Sequence, residues 1–442
     1  MEYSYSEVLE KIENSRRFGR LPGVTVEGLM LEALGEPQRG LPYIHVAGTN
    51  GKGSVCAFLD GIFRELGLRV GRFTSPHLVD FRERIMVDNE LIGKEAVERL
   101  GNQLLQLDIG VTPTMFDYCL AMAVLYFKER ACDIAVIETG LGGRLDSTNA
   151  LGTPEVAVIT RIDLDHTAVL GDSLTDIAEE KAGIFRPGVP AVSAPQQETA
   201  MTVLRSRAGS LHVVAKEELE KAKAYQPGLL GLHQIENAAV AAAAVRALPS
   251  VHTRRGEAAE AAMAWRGEEV EAAMTWRAEK LEAAIARGIH SARWPGRMEL
   301  LCGQPFFLVD GAHNPGGVRA LRESLWELYP QERFRFVMAV MEDKDYTGMV
   351  ELLLPLAKEF VTVSLDKERA LQGEKLAAYI RERGVFARTA GSVRELCALP
   401  ADGTKTVALG SLYFIGDLKR LYAAPCGSQR DVKEVVAKTA LP

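Results

Sequence analysis

The chain has 442 residues, of which 47% are hydrophobic and 25% charged, and its formal net charge is −7. This is the composition of an ordinary globular protein, so a mainly disordered chain is excluded. The acidic balance argues against general nucleic-acid binding, which needs a basic surface, but it permits a local cationic site for a small anion. At this length we expect roughly two to four domains.

The cysteines and the apolar runs indicate a cellular setting. The six cysteines are scattered without a CxxC pair, so neither a zinc cluster nor a disulfide framework is predicted. The first residues are polar and charged, and no run of about 18 apolar residues occurs, so neither a signal peptide nor a membrane span is expected. We expect a cytoplasmic monomer that acts on small molecules, without a nucleic-acid or membrane partner.

The first strongly patterned region is an apolar run at 43–47, followed by the glycine-rich loop GTNGKGS at 48–54 and an amphipathic helical pattern. Backbone N–H groups at such a strand–loop–helix junction attract an anion, and Lys52 adds a cation. The strict GxxxxGK[ST] template fails here, because Val46 replaces its first glycine and Gly53 its Ser/Thr. The sequence therefore predicts a shortened phosphate-binding loop, with a generic turn as the alternative.

Two later apolar runs, DIAVIE (133–138) and EVAVITRI (155–162), have strand length and no polar alternation. Such runs are typical of parallel strands covered on both faces. Ligands bind beyond the carboxyl ends of these strands, where the sequence places Glu138, Asp163, Asp165 and His166. A carboxylate suits Mg²⁺, whereas an imidazole is an unusual ligand. Glu138 as a helix cap and His166 as a partner of a backbone carbonyl are the structural alternatives to a metal–nucleotide site.

Residue chemistry alone favours a structural interpretation of Lys181, with a functional role as the minor alternative. Its neighbours Glu179 and Glu180 predict a solvated lysine in a surface ion pair.

An 11-residue repeat is the unusual feature of the chain. The segment at 260–266 recurs at 271–277 and more weakly at 282–287. Eleven residues are close to three helical turns, and Glu, Ala, Met and Arg favour helices. We expect a long helix or a helical hairpin, either as a solvated duplication or as a partner-binding surface that uses Trp265 and Trp276.

The strand–helix alternation restarts after SARWPGRMELLCG (291–303), which is interpreted as an interdomain connection. FFLVD is predicted to be a strand and MVELLLPLAKEF (349–360) a helix. Asp310 ends the first of these and precedes a glycine-rich turn containing His313. Asp310 could accept a hydrogen bond from a ribose hydroxyl, and His313 could flank a base or a phosphate, with a plain turn as the alternative. Arg297 offers a cation for a transferring phosphoryl group.

Taken together, the motifs resemble one family. HVAGTNGKGS, SPHL, ETGLGGRLDSTN, DHTAVLG, EEKAGIFRPG, HQIENAA, WPGRME, DGAHNP and GSLY occur in the order found in the folylpolyglutamate synthase/dihydrofolate synthase family, the folate branch of the Mur ligases. The resemblance spans about residues 1 to 420. It implies a P-loop-type, mostly parallel ATPase domain at 1–295, with a helical insertion at about 255–287. A smaller Rossmann-like α/β glutamate-ligase domain follows at 296–442.

The resemblance also implies the reaction. It indicates an ATP-dependent amide ligase that adds L-glutamate to dihydropteroate and to folate glutamates through an acyl phosphate. The alternatives are a folylpolyglutamate synthase without dihydropteroate activity and a nucleotide-switched binding protein. A peptidoglycan-precursor ligase is disfavoured by SPHL and DHTAVLG.

Matched position by position, the family's motifs assign site residues. ATP contacts are implied for Thr49, Asn50, Gly51, Lys52, Gly53, Ser54, Asn237, Arg297 and Asp310. Mg²⁺ ligation, for two ions, is implied for Ser75, Glu138, His166 and a carbamylated Lys181. Catalytic roles fall to Lys52, Lys181, Arg297 and His313, and the acceptor pocket to Phe116, Asp117, Leu145 and Asp146. Asp117 stands where Glu is frequent and residues 23–28 match poorly, which leaves the acceptor open.

Overall fold

The computed structural model describes residues 2–15, 21–248, 267–367, 369–399 and 402–422. The chain forms two compact units. The first runs from the N terminus to His77 and includes Phe81–Gly228 and Ile235–Arg293. The second holds Leu78–Asp80, Leu229–Gln234 and the chain from Trp294 onward. The assignment of these units as an ATPase domain and a glutamate-ligase domain stays a prediction.

In the described part of the first unit, eight strands form one sheet in the order β4-β3-β2-β5-β1-β6-β7-β8. Neighbouring strands are parallel except in the β2–β3 and β3–β4 pairs. The strands are β1 (Tyr43–Ala47), β2 (Val70–Phe73), β3 (Ile85–Val87), β4 (Glu90–Leu91), β5 (Ile134–Glu138), β6 (Val156–Ile159), β7 (Ala191–Ser193) and β8 (Leu211–Val213).

The described helices between residues 5 and 291 follow the alternation that the sequence predicts. They are α1 (Tyr5–Glu13), α2 (Gly23–Ala33), α3 (Lys52–Glu65), α4 (Lys94–Leu105), α5 (Met115–Glu129), α6 (Thr167–Leu170), α7 (Leu174–Ala182), α8 (Glu198–Arg207), α9 (Lys216–Ala224), α10 (Leu232–Arg246) and α11 (Gly267–Ser291). Every residue of β1, β2, β5 and β6 is buried. Strands with both faces covered need no polar alternation, so the prediction of a parallel α/β sheet is confirmed.

The predicted phosphate-loop helix α3 packs against α11, and the contact is unusually close. A Cβ on Gly61 would lie 2.6 Å from the backbone oxygen of Gly288, so the two helix backbones meet where neither residue has a side chain. Ala284 and Ile285 of α11 are buried beside this contact. The helix predicted for the repeat is confirmed over 267–291, and the copy at 260–266 lies outside the described residues.

The second unit contains a six-stranded sheet among its described residues, in the order β13-β12-β11-β14-β10-β9. Only the β9–β10 pair is antiparallel. Its elements are β9 (Glu299–Gly303), β10 (Phe306–Val309), α12 (Pro315–Leu328), β11 (Phe334–Met338), α13 (Tyr346–Leu353), β12 (Ala357–Val363), α14 (Gly373–Arg381), β13 (Ala387–Ala390), β14 (Thr406–Leu409) and α15 (Leu412–Tyr422).

Buried hydrophobic residues cover both faces of this sheet. Phe334 and Phe336 of β11 contribute to one buried cluster, whereas Val337 contributes to the other. This is the period-two alternation of a strand. One predicted element is wrong: the helix expected over 349–360 ends at Leu353, and Ala357–Val363 forms β12. The physical reason is Pro355, which lacks an N–H and cannot continue the helix.

None of the described helices is both long and apolar enough to cross a membrane.

Candidate functional site

Four neighbouring parallel strands of the first unit deliver the predicted site residues to one edge of the sheet. In sheet order these strands are β2, β5, β1 and β6. Ser75 follows β2, Glu138 ends β5, the loop 48–54 follows β1, and Asp163 and His166 follow β6. The carboxyl edge of a parallel sheet, at a change of strand order, is where such folds bind ligands.

The glycine-rich loop is held in a defined shape. Gly51 precedes α3 with φ of 97°, and a Cβ there would lie 2.4 Å from Asn237 Oδ1; only glycine suits both conditions. Thr49 Oγ1 donates a hydrogen bond to the backbone oxygen of Asp163 (3.0 Å), and Asn50 Nδ2 donates to the Asp163 carboxylate (2.9 Å). The loop is thereby tied to the end of β6, with the positive end of the α3 dipole behind it.

The rest of the predicted loop belongs to α3. Lys52 is its first residue, and Gly53 and Ser54 lie buried in its first turn. The structure therefore brings Gly51 of this loop next to Asn237, and the ATP-binding role of these residues stays a prediction.

Two lysines converge on the backbone oxygen of Gly48. Lys181 Nζ donates to it at 2.9 Å and Lys52 Nζ at 3.1 Å. Lys181 is 3% exposed, so the solvated surface lysine predicted from Glu179 and Glu180 is wrong. Burial, followed by the positive charge of Lys52, lowers the pKa of Lys181 to about 7. A substantial fraction of this amine is consequently uncharged near neutral pH.

The predicted metal ligands are brought together in part. Ser75 N donates to Glu138 Oε2 at 3.1 Å, and Glu138 is 4% exposed. His166 is the N-cap residue before α6, with φ of 52°, and its Nε2 lies 4.0 Å from Asp165 Oδ2. Within the described residues, no three His, Cys, Asp or Glu side chains are arranged to hold a metal. A buried carboxylate in contact with a serine residue still fits Mg²⁺, which uses one or two carboxylates together with phosphates and water.

The predicted acceptor residues lie at the start of α5 and in the turn after β5. A Cβ on Gly140 would lie 2.6 Å from the Phe116 ring, so the ring rests directly on this turn. Asp117 Oδ1 accepts a hydrogen bond from Ser147 Oγ at 2.5 Å. Leu145 is 43% exposed. The structure thus places an aromatic ring, an exposed aliphatic side chain and buried carboxylates around one turn.

Sequence reasoning missed three buried polar residues near this turn, Glu27, His45 and Thr148, of which Thr148 bonds the predicted residue Asp146. Asp146 accepts from Leu141 N (2.8 Å) and from Thr148 Oγ1 (2.5 Å), and Thr148 Oγ1 lies 2.8 Å from His45 Nε2. Glu27 is fully buried, and neither of its carboxylate oxygens has a hydrogen-bond partner among the described residues. His45 stands in the motif HVAGTNGKGS and Thr148 in ETGLGGRLDSTN. The motifs were therefore the available signal for these two, whereas nothing marked Glu27.

In the second unit, Arg297, Asp310 and His313 surround Gly311. Asp310 Oδ2 accepts from Met298 N at 2.9 Å, and its Oδ1 accepts from a backbone amide at 2.8 Å. A Cβ on Gly311 would lie 2.1 Å from Arg297 Nη1. His313 Nδ1 lies 2.8 Å from the backbone oxygen of Gly311. These predicted site residues are brought together by one turn after β10.

Comparison with known proteins identifies relatives of this chain. Residues 296–407 match the family described as Mur ligase, glutamate ligase domain. The chain is 33% identical over 450 residues to the dihydrofolate synthase/folylpolyglutamate synthase of Bacillus subtilis, covering 94% of this chain and 99% of that protein.

Solved structures give the same result. The Mycobacterium tuberculosis folylpolyglutamate synthase complexed with ADP and AMPPCP is 29% identical, with a TM-score of 0.76, over 95% of this chain and 98% of that one. The bifunctional Yersinia pestis enzyme complexed with AMPPNP and a Mn ion is 25% identical, with a TM-score of 0.76 and coverage of 95% and 98%.

The fold, the phosphate loop and the C-terminal domain match define an ATP-dependent ligase of the Mur ligase class. Within that class, the chain belongs to the folylpolyglutamate synthase/dihydrofolate synthase family.

Proposed function

We propose that this enzyme joins L-glutamate to dihydropteroate and to reduced folates, through an acyl phosphate. The acceptor carboxylate attacks the γ-phosphorus of ATP, so a C–O–P linkage forms and ADP leaves. The glutamate amine then attacks the carbonyl carbon. The C–N bond forms, the C–O bond to phosphate breaks, and the amine loses a proton. Phosphorylation is needed because a free carboxylate is a poor acyl donor.

One observation carries this proposal: a phosphate loop, a buried carboxylate and a buried lysine meet at the edge of the sheet that also carries the turn with Phe116. A nucleotide switch needs the loop alone. A ligase additionally needs a place for an acceptor next to the phosphates. The turn of residues 140–148, which follows Glu138 directly, supplies that place.

The loop residues and the metal ligands have distinct tasks. The backbone amides of Thr49 to Ser54 cradle the ATP phosphates, and Lys52 balances charge on the transferring group. Glu138, Ser75 and His166 would hold Mg²⁺, which neutralises phosphate charge when bound. Asn237 is proposed as a further ATP contact.

In the second unit, Arg297 and Asp310 are proposed as ATP contacts and His313 as a residue near the transferred phosphoryl group. Asp310 has both oxygens fixed by backbone amides. This leaves its remaining acceptor capacity in one orientation, as recognition of a ribose hydroxyl requires.

Lys181 is proposed to be carbamylated and to support a second metal. Carbamylation needs the uncharged amine, because its lone pair forms the N–C bond to carbon dioxide while a proton is released. The lowered pKa of Lys181, caused by burial, makes that form available. The added carboxylate would turn a cation beside Gly48 into an anion.

The acceptor is proposed to lie against Phe116 and Leu145, with Asp117 and Asp146 fixing the turn. An aromatic ring and an exposed aliphatic side chain suit the face of a flat pterin ring. The B. subtilis relative is named for both activities, which supports use of dihydropteroate as well as folate. A cytoplasmic monomer stays our expectation.

The test is a steady-state assay of the purified full chain with ATP, Mg²⁺ and L-glutamate, and with dihydropteroate or tetrahydrofolate as acceptor. We expect phosphate release that requires both glutamate and acceptor, with a product heavier by one glutamyl residue. Turnover with tetrahydrofolate alone would indicate a folylpolyglutamate synthase only. ATP hydrolysis independent of glutamate would support a nucleotide switch and reject the ligase.

A further inference from the structure

A buried series of polar side chains connects the central strand β1 to the proposed acceptor turn, and the proposed function uses only its last member, Asp146. His45 lies in β1, three residues before the glycine-rich loop begins, and is 0% exposed. Its Nε2 lies 2.8 Å from Thr148 Oγ1, which itself lies 2.5 Å from Asp146 Oδ1. Three side chains thus link the sheet to the turn that carries Leu145.

The hydrogen bonds along this series of side chains determine which ring nitrogen of His45 carries the hydrogen. Asp146 accepts from Leu141 N (2.8 Å), from Thr148 N (3.1 Å) and from Thr148 Oγ1 (2.5 Å). Burial raises the pKa of Asp146, whereas these hydrogen bonds lower it by favouring the ionised form. With Asp146 ionised, Thr148 donates its one hydroxyl hydrogen to Asp146 Oδ1. The contact between His45 Nε2 and Thr148 Oγ1 therefore needs a hydrogen on the ring nitrogen.

The other ring nitrogen agrees with this assignment. His45 Nδ1 is buried and has no hydrogen-bond partner among the described residues. A bare Nδ1 leaves a lone pair unsatisfied, whereas a protonated Nδ1 would leave a buried N–H without an acceptor and Nε2 without its hydrogen. Burial lowers the pKa of His45 to about 3, with the charge of Arg186 adding to the effect. The ring is consequently neutral, with its hydrogen on Nε2.

We propose that His45 is a positioning residue for the acceptor: its Nε2–H fixes Thr148, and through Asp146 it holds the turn that binds the pterin-bearing substrate. This role rests on the proposed function. The turn has a second anchor, since Ser147 donates to Asp117 at the start of α5. The two anchors involve consecutive residues, Ser147 and Thr148, so releasing one leaves this part of the turn held by the other alone.

Two substitutions separate the hydrogen bond from the volume of the side chain. His45→Gln places an amide N–H near the position of Nε2, whereas His45→Asn is too short to reach Thr148. We expect His45→Asn to raise the KM for the acceptor about tenfold, the size expected for a lost buried hydrogen bond. The KM for ATP should stay within about twofold, and His45→Gln should restore most of the acceptor affinity.

A double-mutant cycle tests the route of this effect. Thr148→Val removes the hydroxyl that receives the His45 hydrogen, so its effect on the acceptor KM should not add to that of His45→Asn. Full additivity would show that His45 acts by another path. An equal rise in the KM for ATP and for the acceptor, or no rescue by His45→Gln in a folded protein, would overturn the proposal.

A spectroscopic readout keeps this inference separate from the proposed function. In the ¹⁵N-histidine spectrum of the full chain, the signals lost in His45→Asn should show the neutral Nε2–H form, unchanged down to about pH 5. A protonated ring or an Nδ1–H form at pH 7 overturns the inference even in an active enzyme. A wild type that ligates glutamate to neither acceptor rejects the proposed function and this role with it. An active wild type whose acceptor KM is insensitive to His45→Asn rejects the role of His45 alone.

Discussion

The substitution Glu27→Gln gives a direct test of the electrostatics beneath the acceptor turn. Glu27 is 0% exposed, and its carboxylate oxygens have no hydrogen-bond partner among the described residues. Burial raises the pKa of Glu27 well above its usual range, and the nearby acidic groups Asp117 and Asp146 raise it further. We therefore expect Glu27 to be a neutral carboxylic acid in the folded protein.

The expected effect of Glu27→Gln on the free energy of unfolding follows from proton linkage. In the unfolded chain Glu27 ionises near pH 4.5, whereas the folded protein retains the proton. Below that pH the group contributes its full stability, and the contribution is lost as pH rises toward the folded pKa. In this window the free energy of unfolding of the wild type falls by about 1.4 kcal/mol per pH unit, because the folded state binds one proton more than the unfolded state. Between pH 5 and pH 6, Glu27→Gln should therefore gain about 1.4 kcal/mol relative to wild type.

Urea unfolding followed by circular dichroism, at several pH values, measures this difference in the free energy of unfolding. Glu32→Gln is the matched control, because Glu32 is exposed on the same helix α2. We expect the control to follow the wild type at every pH. A constant difference between Glu27→Gln and wild type from pH 5 to pH 7 would refute the reasoning, since it would mean that Glu27 ionises normally in the fold.

Three further predictions concern the predicted nucleotide loop and Lys181, which contacts it. Lys52→Ala should abolish turnover while leaving the melting temperature unchanged, and a matching loss of stability would indicate a structural role. Lys181→Ala should lose activity that short carboxylates partly restore; failure of rescue, with an unmodified mass for Lys181 in the wild type, would argue against the carbamate. Gly51→Ala should weaken ATP binding at least tenfold in a titration. Gly35→Ala is its control, because it shares the positive φ but faces open space; equal effects would contradict the steric argument.

The sequence predicted the parts of the fold that depend on local pattern. Unbroken apolar runs identified β5 and β6, and a glycine-rich junction identified the start of α3. It failed where a tertiary contact decides the outcome. The acidic neighbours of Lys181 predict a surface residue, yet its position in α7 brings its Nζ to the backbone oxygen of Gly48. Pro355 was visible in the sequence, but the apolar residues after it suit a strand as well as a helix.

The candidate site likewise contains residues that the sequence could place and one that it could not. Residues inside long motifs, such as Asn50 and Glu138, could be placed from the sequence because strand ends converge on one edge. Glu27 could not, because a glutamate in a helix is ordinarily a solvated charge. Its burial is produced by the packing of α2 against the turn at 145–147, where Val24 N donates to the backbone oxygen of Leu145. No local pattern reports such a contact between distant segments.

The close backbone contact between Gly61 of α3 and Gly288 of α11 limits which part of the repeat segment can be deleted. Since the helix that opens with the predicted nucleotide loop rests its backbone on α11, a variant trimmed of its duplicated segment must retain the turns of α11 that contain Ala284 and Ile285. Deletions should be tolerated only upstream of these turns. Insertion of extra copies of the 11-residue unit upstream of these turns should likewise leave the contact between α3 and α11 in place.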